Sequence, residues 1–86
     1  MVGRQTAKER VASFLLLLAE RSSVGGHRVE VPVNRQDIAD YLSLTMETVS
    51  RTLSLLKRTR VIDVPDPQHI ELKNIDALDA LAEGLD

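Results

Sequence analysis

Three residues separate two stretches of helical periodicity. Ser43, Leu44 and Thr45 stand between the apolar positions Ile38, Ala39 and Leu42 and the apolar positions Val49, Leu53 and Leu56. A gap this short admits only a tight turn, so the two helices it joins must fold sharply against each other. Asn34 suits the N-cap of the first helix, Arg35 to Leu42, with Asp37 three residues on as a near capping box. Thr45 suits the N-cap of the second, Met46 to about Thr59. Ala39 is small where the helices must cross, Leu44 can plug the turn, and Val49 closes the angle from the other side. Ser43 falls where the backbone is expected to be left-handed, a shape that costs a residue with a side chain about 1 kcal/mol.

The flanking elements follow from periodicity. Residues 4–22 predict a helix, because Val11, Phe14, Leu15 and Leu18 recur at helical spacing. Its run from Phe14 to Ala19 is apolar nearly all round, which points to a central core element with Phe14 inside. Ser22-Ser23-Val24-Gly25-Gly26 reads as a loop. His27 to Val33 predicts a short strand ended by Pro32, with Val29, Val31 and Val33 on one side and Arg28 and Glu30 on the other. Val61 to Val64 predicts a second strand, Pro65-Asp66-Pro67 a turn, and His69 to Leu72 a strand that pairs back as a hairpin. Asn74 caps a last helix with Ile75, Leu78, Leu81 and Ala82 inward. Two helices joined by a three-residue turn and followed by a β-hairpin define a winged helix-turn-helix, an α+β fold that is mainly α. At 86 residues the expectation is one domain spanning 1–86.

Composition narrows the chemistry. Without cysteine there is no disulfide, thiolate zinc site or thiol nucleophile. No apolar run approaches the roughly 20 residues that span a bilayer, and no secretory signal is read, so a cytoplasmic location with no membrane partner is expected. No glycine-rich phosphate loop, nucleophile–base pair or inward carboxylate pair is present, and Asp76, Asp79 and Glu83 read as the wet side of the last helix; an enzyme is not expected. No cofactor and no metal are expected, and the lone His27 is given no role. The net charge of −2 looks wrong for an anionic partner, but it is unevenly spread. Residues 34–60 carry five Lys or Arg against three acids, while residues 61–86 carry one against seven. Local field matters more than the total.

On the third helix the polar residues are arranged, not scattered. At about 100° per residue, Val49, Thr52, Leu53 and Leu56 fall in one arc, and Glu47, Ser50, Arg51, Ser54 and Arg58 fall opposite. A helix held this way can present its first turns to a major groove. The forked guanidinium of Arg51 matches guanine O6 and N7, a carboxylate such as Glu47 can accept from cytosine N4, and Ser50 is small enough to pack near a thymine methyl. Lys57, Arg58 and Arg60 lie further along as candidates for phosphates, which position without reading sequence. Arg35, Gln36, Thr45, Thr48, Ser54 and His69 are further candidates for the DNA backbone. Each has a plainer reading. Glu47 in a first turn suits the helix dipole and can pair with Arg51 four residues on. Ser54 and the late cations can simply be solvated, His69 can be hairpin surface, and Tyr41 can be packing.

RQDIADYLSLTMETVSRTLSLLKR, residues 35–58, resembles the DNA-binding domain of the Crp/Fnr superfamily of bacterial transcription regulators. The Glu47-x-x-Ser50-Arg51 spacing is similar to the FixK/Fnr side rather than the cyclic-AMP side, where Gly stands at the Ser position. The resemblance covers roughly residues 5–83. It implies sequence-specific binding of double-stranded DNA, with Glu47, Ser50 and Arg51 reading TTGA half-sites of a TTGA-N6-TCAA palindrome. It further implies action as a dimer in the intact regulator and RNA polymerase as a partner. The family's β-roll sensor domain and long dimerisation helix have no counterpart in these residues. A competing reading, a winged helix that docks on proteins, expects exposed apolar residues on the third helix, for which Met46 and Leu55 are the candidates.

Overall fold

A computed structural model of the chain describes residues 6–21, 28–31 and 34–84. Four helices, α1 (Ala7–Arg21), α2 (Arg35–Leu42), α3 (Met46–Arg58) and α4 (Ile75–Ala82), accompany three strands, β1 (Arg28–Glu30), β2 (Ile62–Asp66) and β3 (His69–Leu72). The order is the winged helix-turn-helix expected.

Among the described residues the first helix runs Ala7–Arg21; residues 4 and 5 lie outside them. Thr6 is its cap: Thr6 Oγ1 accepts from Glu9 N at 3.2 Å, and Glu9 Oε1 accepts from Thr6 N at 2.6 Å. The Thr6-x-x-Glu9 spacing is the sequence signal of this reciprocal box. Asn34 and Asn74 each cap a helix as expected, accepting from Asp37 N at 2.8 Å and from Ala77 N at 3.0 Å. The loop over residues 22–26, His27, Pro32 and Val33 lie outside the described residues.

Val11, Ala12 and Leu15 of α1 meet Ile38, Ala39, Val49, Leu53, Leu56, Ile62, Ile70, Leu72 and Leu78 in one core. The helix packs on α3, α4 and β1, so it is central as expected. Its apolar run is not enclosed all round, however. Leu15 is buried, while Phe14, Leu16, Leu17 and Leu18 are half-buried. Phe14 packs against the core and also meets Tyr41, ring centroids 5.7 Å apart, with Tyr41 itself 67% exposed. Thr52, buried on the inner arc of α3, donates its hydroxyl to Thr48 O at 2.8 Å.

The strands form one antiparallel sheet in the order β1-β3-β2. Pairing of β1 with β3 places Arg28 opposite Glu71, and the two side chains form an ion pair at 3.2 Å. The sequence pattern predicted β1 but not its partner. The wing also differs at its tip. Pro65 does not begin a turn: β2 runs through it to Asp66, and the turn is Pro67-Gln68. Proline is tolerated here because β2 is an edge strand with a register shift between Asp63 and Asp66, where no ladder hydrogen bond is required of it.

Candidate nucleic-acid interface

The orientation of α3 is set at the turn between α2 and α3. Ser43 is left-handed, φ 60° and ψ 42°, as its position requires. Leu44 N donates to Ala39 O at 2.8 Å and Ser43 N to Asp40 O at 3.3 Å, which satisfies two of the last carbonyls of α2. Thr45 then starts α3, its Oγ1 accepting from Thr48 N at 3.1 Å and donating to Thr48 Oγ1 at 2.8 Å. Leu44 and Val49 pack in the angle, half-buried and buried respectively.

The outer face of α3 stands clear of the protein. Glu47, Ser50, Arg51, Ser54 and Arg58 are all exposed, opposite the buried Val49, Thr52, Leu53 and Leu56. Arg51 Nη2 donates to Glu47 Oε2 at 2.8 Å, with the two side chains 78% and 71% exposed. A pair this wet contributes a few tenths of a kcal/mol to the helix. What it provides is direction: the guanidinium fork and the carboxylate are held side by side on the first two turns.

The remaining candidates divide. Lys57 and Arg58 lie exposed in the last turn of α3. Arg60 follows in a left-handed conformation, φ 65°, and closes the helix as Ser43 closes α2: Arg60 N donates to Lys57 O at 3.1 Å and Val61 N to Leu56 O at 2.9 Å. Nothing in its residue type announces this, since such a position ordinarily selects glycine. Arg35 is half-buried at the start of α2. Gln36 Nε2 donates to Asp40 Oδ1 at 3.0 Å, so its amide is engaged along its own helix. On the wing, His69 Nδ1 lies 2.9 and 3.0 Å from the two Asp66 carboxylate oxygens, and Asp66 Oδ1 also accepts from Gln68 N at 2.8 Å. The imidazole bond, with the Gln68 N–H behind it, holds the Asp66 carboxyl below its ordinary value. This brace was missed in the sequence, although aspartate two residues before a turn amide is a recognisable turn signal.

Met46 is 49% exposed at the first position of α3. Leu55 is not on the polar face. It is half-buried in a cleft with Lys8, Thr59, Ala77, Ala80 and Leu81, facing α4. No helix among the described residues is long and apolar enough to cross a membrane.

Comparison with known proteins agrees with this arrangement. A family model described as the Crp-like helix-turn-helix domain matches residues 9–81. The nitrogen fixation regulation protein FixK of Rhizobium meliloti is 47% identical over 81 residues, covering 94% of this chain and 38% of that protein. The transcriptional activator protein FnrL of Cereibacter sphaeroides is 40% identical over 77 residues, covering 81% of this chain and 31% of its own length. The solved structure of FixK2 from Bradyrhizobium japonicum superposes with a TM-score of 0.86 at 45% identity, over 93% of this chain and 40% of that one. The chain thus spans about a third of the length of the regulators it matches. It belongs to the Crp-like helix-turn-helix family, the DNA-binding domain of Crp/Fnr-type transcription regulators, and not to a family of enzymes.

Proposed function

We propose that the chain binds double-stranded DNA sequence-specifically in bacterial transcription regulation, laying α3 in a major groove. Glu47, Ser50 and Arg51 read TTGA-type half-sites there. The observation that carries this is the exposed, paired Glu47 and Arg51 on a helix whose other side is locked in the core. Arg51 supplies the fork for guanine, Glu47 the acceptor for cytosine N4 on the complementary strand, and Ser50 the small contact between them. Lys57, Arg58 and Arg60 meet phosphates beyond the read bases, and Thr45, Thr48, Ser54, Arg35, Gln36 and His69 meet the backbone around them. Gln36 and His69 must each release or share an acidic neighbour to do so.

One half-site offers few phosphates, so a single copy binds weakly and loses affinity quickly with salt. The intact regulator therefore acts as a dimer on a TTGA-N6-TCAA palindrome, its recognition helices about 34 Å apart. Contacts with RNA polymerase belong to that larger assembly, in the cytoplasm. Support comes from relatives named as regulators and activators. Selection of bound duplexes from a random pool is the test. Recovery of TTGA in inverted copies is expected; a pool that stays random, or converges on an unrelated motif, contradicts the assignment.

A further inference from the structure

Arg10 lies on α1, away from the outer face of α3, yet it reaches the turn that aims that face. Its Nη1 donates to Leu42 O at 3.0 Å and to Ser43 O at 3.4 Å. These two carbonyls, at the last residue of α2 and in the turn after it, lie beyond Ala39 O and Asp40 O, which Leu44 N and Ser43 N have taken. They sit at the negative end of α2, where a cation is favoured by both hydrogen bonding and the helix dipole. Leu42 O ends α2 and Ser43 O lies in the turn beyond it, while the anchoring of α1 in the core is already supplied by the buried side chains of Val11, Ala12 and Leu15. The contact therefore adds something other than burial: it ties the left-handed residue of the turn to the central helix.

We infer that Arg10 is a positioning residue for DNA readout, which fixes the angle of α3 by holding the carbonyls of Leu42 and Ser43. The inference rests on the DNA-binding reading above. Its leverage is geometric. Arg51 is six residues from Thr45, roughly 9 Å along the axis at about 1.5 Å per residue. A tilt of about 10° at the turn moves it by about 1.5 Å, against the roughly 0.5 Å within which a recognition group must be held. The left-handed Ser43 offers little resistance of its own, because its conformation is one a serine leaves readily.

The test compares wild type, Arg10→Met and Arg10→Gln by affinity for a TTGA-N6-TCAA duplex and for a scrambled duplex, and by amide hydrogen exchange. Methionine keeps the stem and removes the donors. It should lower the specific-to-scrambled affinity ratio by about 10-fold, the scale on which one guanine contact discriminates, with the salt slope unchanged. Exchange at the Leu44 amide should quicken by about 10-fold while the core amides of α1 and α3 hold, a local loosening that general destabilisation does not produce. Glutamine, too short to span to both carbonyls, should fall between. An unchanged ratio in Arg10→Met overturns the inference, as does a uniform loss on both duplexes with a lower salt slope, which makes Arg10 a phosphate contact. If the methionine variant does not fold, a glutamine variant matching wild type in both readouts overturns it as well. Wild type that fails to discriminate overturns the DNA reading and this inference together; discrimination that survives Arg10→Met overturns this inference alone.

Discussion

Ser43 and Arg60 do the same work at two places. Each takes a left-handed backbone at the end of a helix, φ 60° and φ 65°, and in each case its own amide and the next one reach back to the last turns. Only the first was legible in the sequence, and there from the length of the gap, not from the residue type. Serine leaves relief available: Ser43→Gly removes a penalty of about 1–2 kcal/mol and adds back some unfolded-state entropy, so a net gain of up to about 1 kcal/mol is expected. Urea denaturation should show a higher midpoint at an unchanged slope. Asp66 offers a second check. Its carboxyl is held below the ordinary 3.8 by His69 and Gln68, so the stabilisation of the wing tip is present above that value and disappears as pH falls through the lower folded-state value. The Gln68 amide resonance should titrate with a midpoint under 3.8 in wild type and lose that step in Asp66→Asn. At this scale the exposure of Glu47, Ser50 and Arg51 was readable because a helical wheel separates them from the buried Val49, Leu53 and Leu56. The contacts of Arg10 with Leu42 and Ser43 were not, since no local pattern pairs a residue with a carbonyl 32 positions away.

At the level of elements, the helices were written most clearly. Three asparagine or threonine caps, Asn34, Thr45 and Asn74, start α2, α3 and α4 where expected, because the cap hydrogen bond is local and its residue preference strong. Thr45 satisfies the Thr48 amide at the very turn that presents the outer face, so Thr45→Ala should cost about 1 kcal/mol of stability by thermal or chemical unfolding. Strands were harder. The alternation around Val29 and Val31 located β1, but its partner β3 lies some 40 residues on, and alternation names a face rather than a neighbour. Pro65 suggests the start of a turn because its residue type argues against a strand in general, yet β2 runs through it. It is admitted here only because the chain order puts β2 at the sheet edge, which is a property of the tertiary fold. Likewise the apolar run of α1 argues for enclosure all round, yet only Leu15 of Phe14 to Leu18 is fully buried and Phe14, packed against the core, also meets the exposed Tyr41.

Across the whole molecule, charge is divided along the chain. Residues 34–60 hold five cations against three acids, and the acidity gathers in residues 61–86. An anionic duplex therefore meets the helix-turn-helix end of the sequence with a local excess of positive charge despite the net −2. Two kinds of residue on α3 should behave differently. Arg58→Ala, exposed in the last turn, should weaken binding to every duplex alike and lower the slope of log affinity against log salt by about 1. Arg51→Ala should instead alter which duplex is preferred. The most direct measurement is the affinity of wild type and Arg51→Ala, at one salt concentration, for a TTGA-containing duplex and for the same duplex with its guanine replaced. Wild type should separate the two by about 1–3 kcal/mol, and Arg51→Ala should bind them nearly equally. An Arg51→Ala protein that still separates them by the wild-type margin would contradict base readout by this helix face.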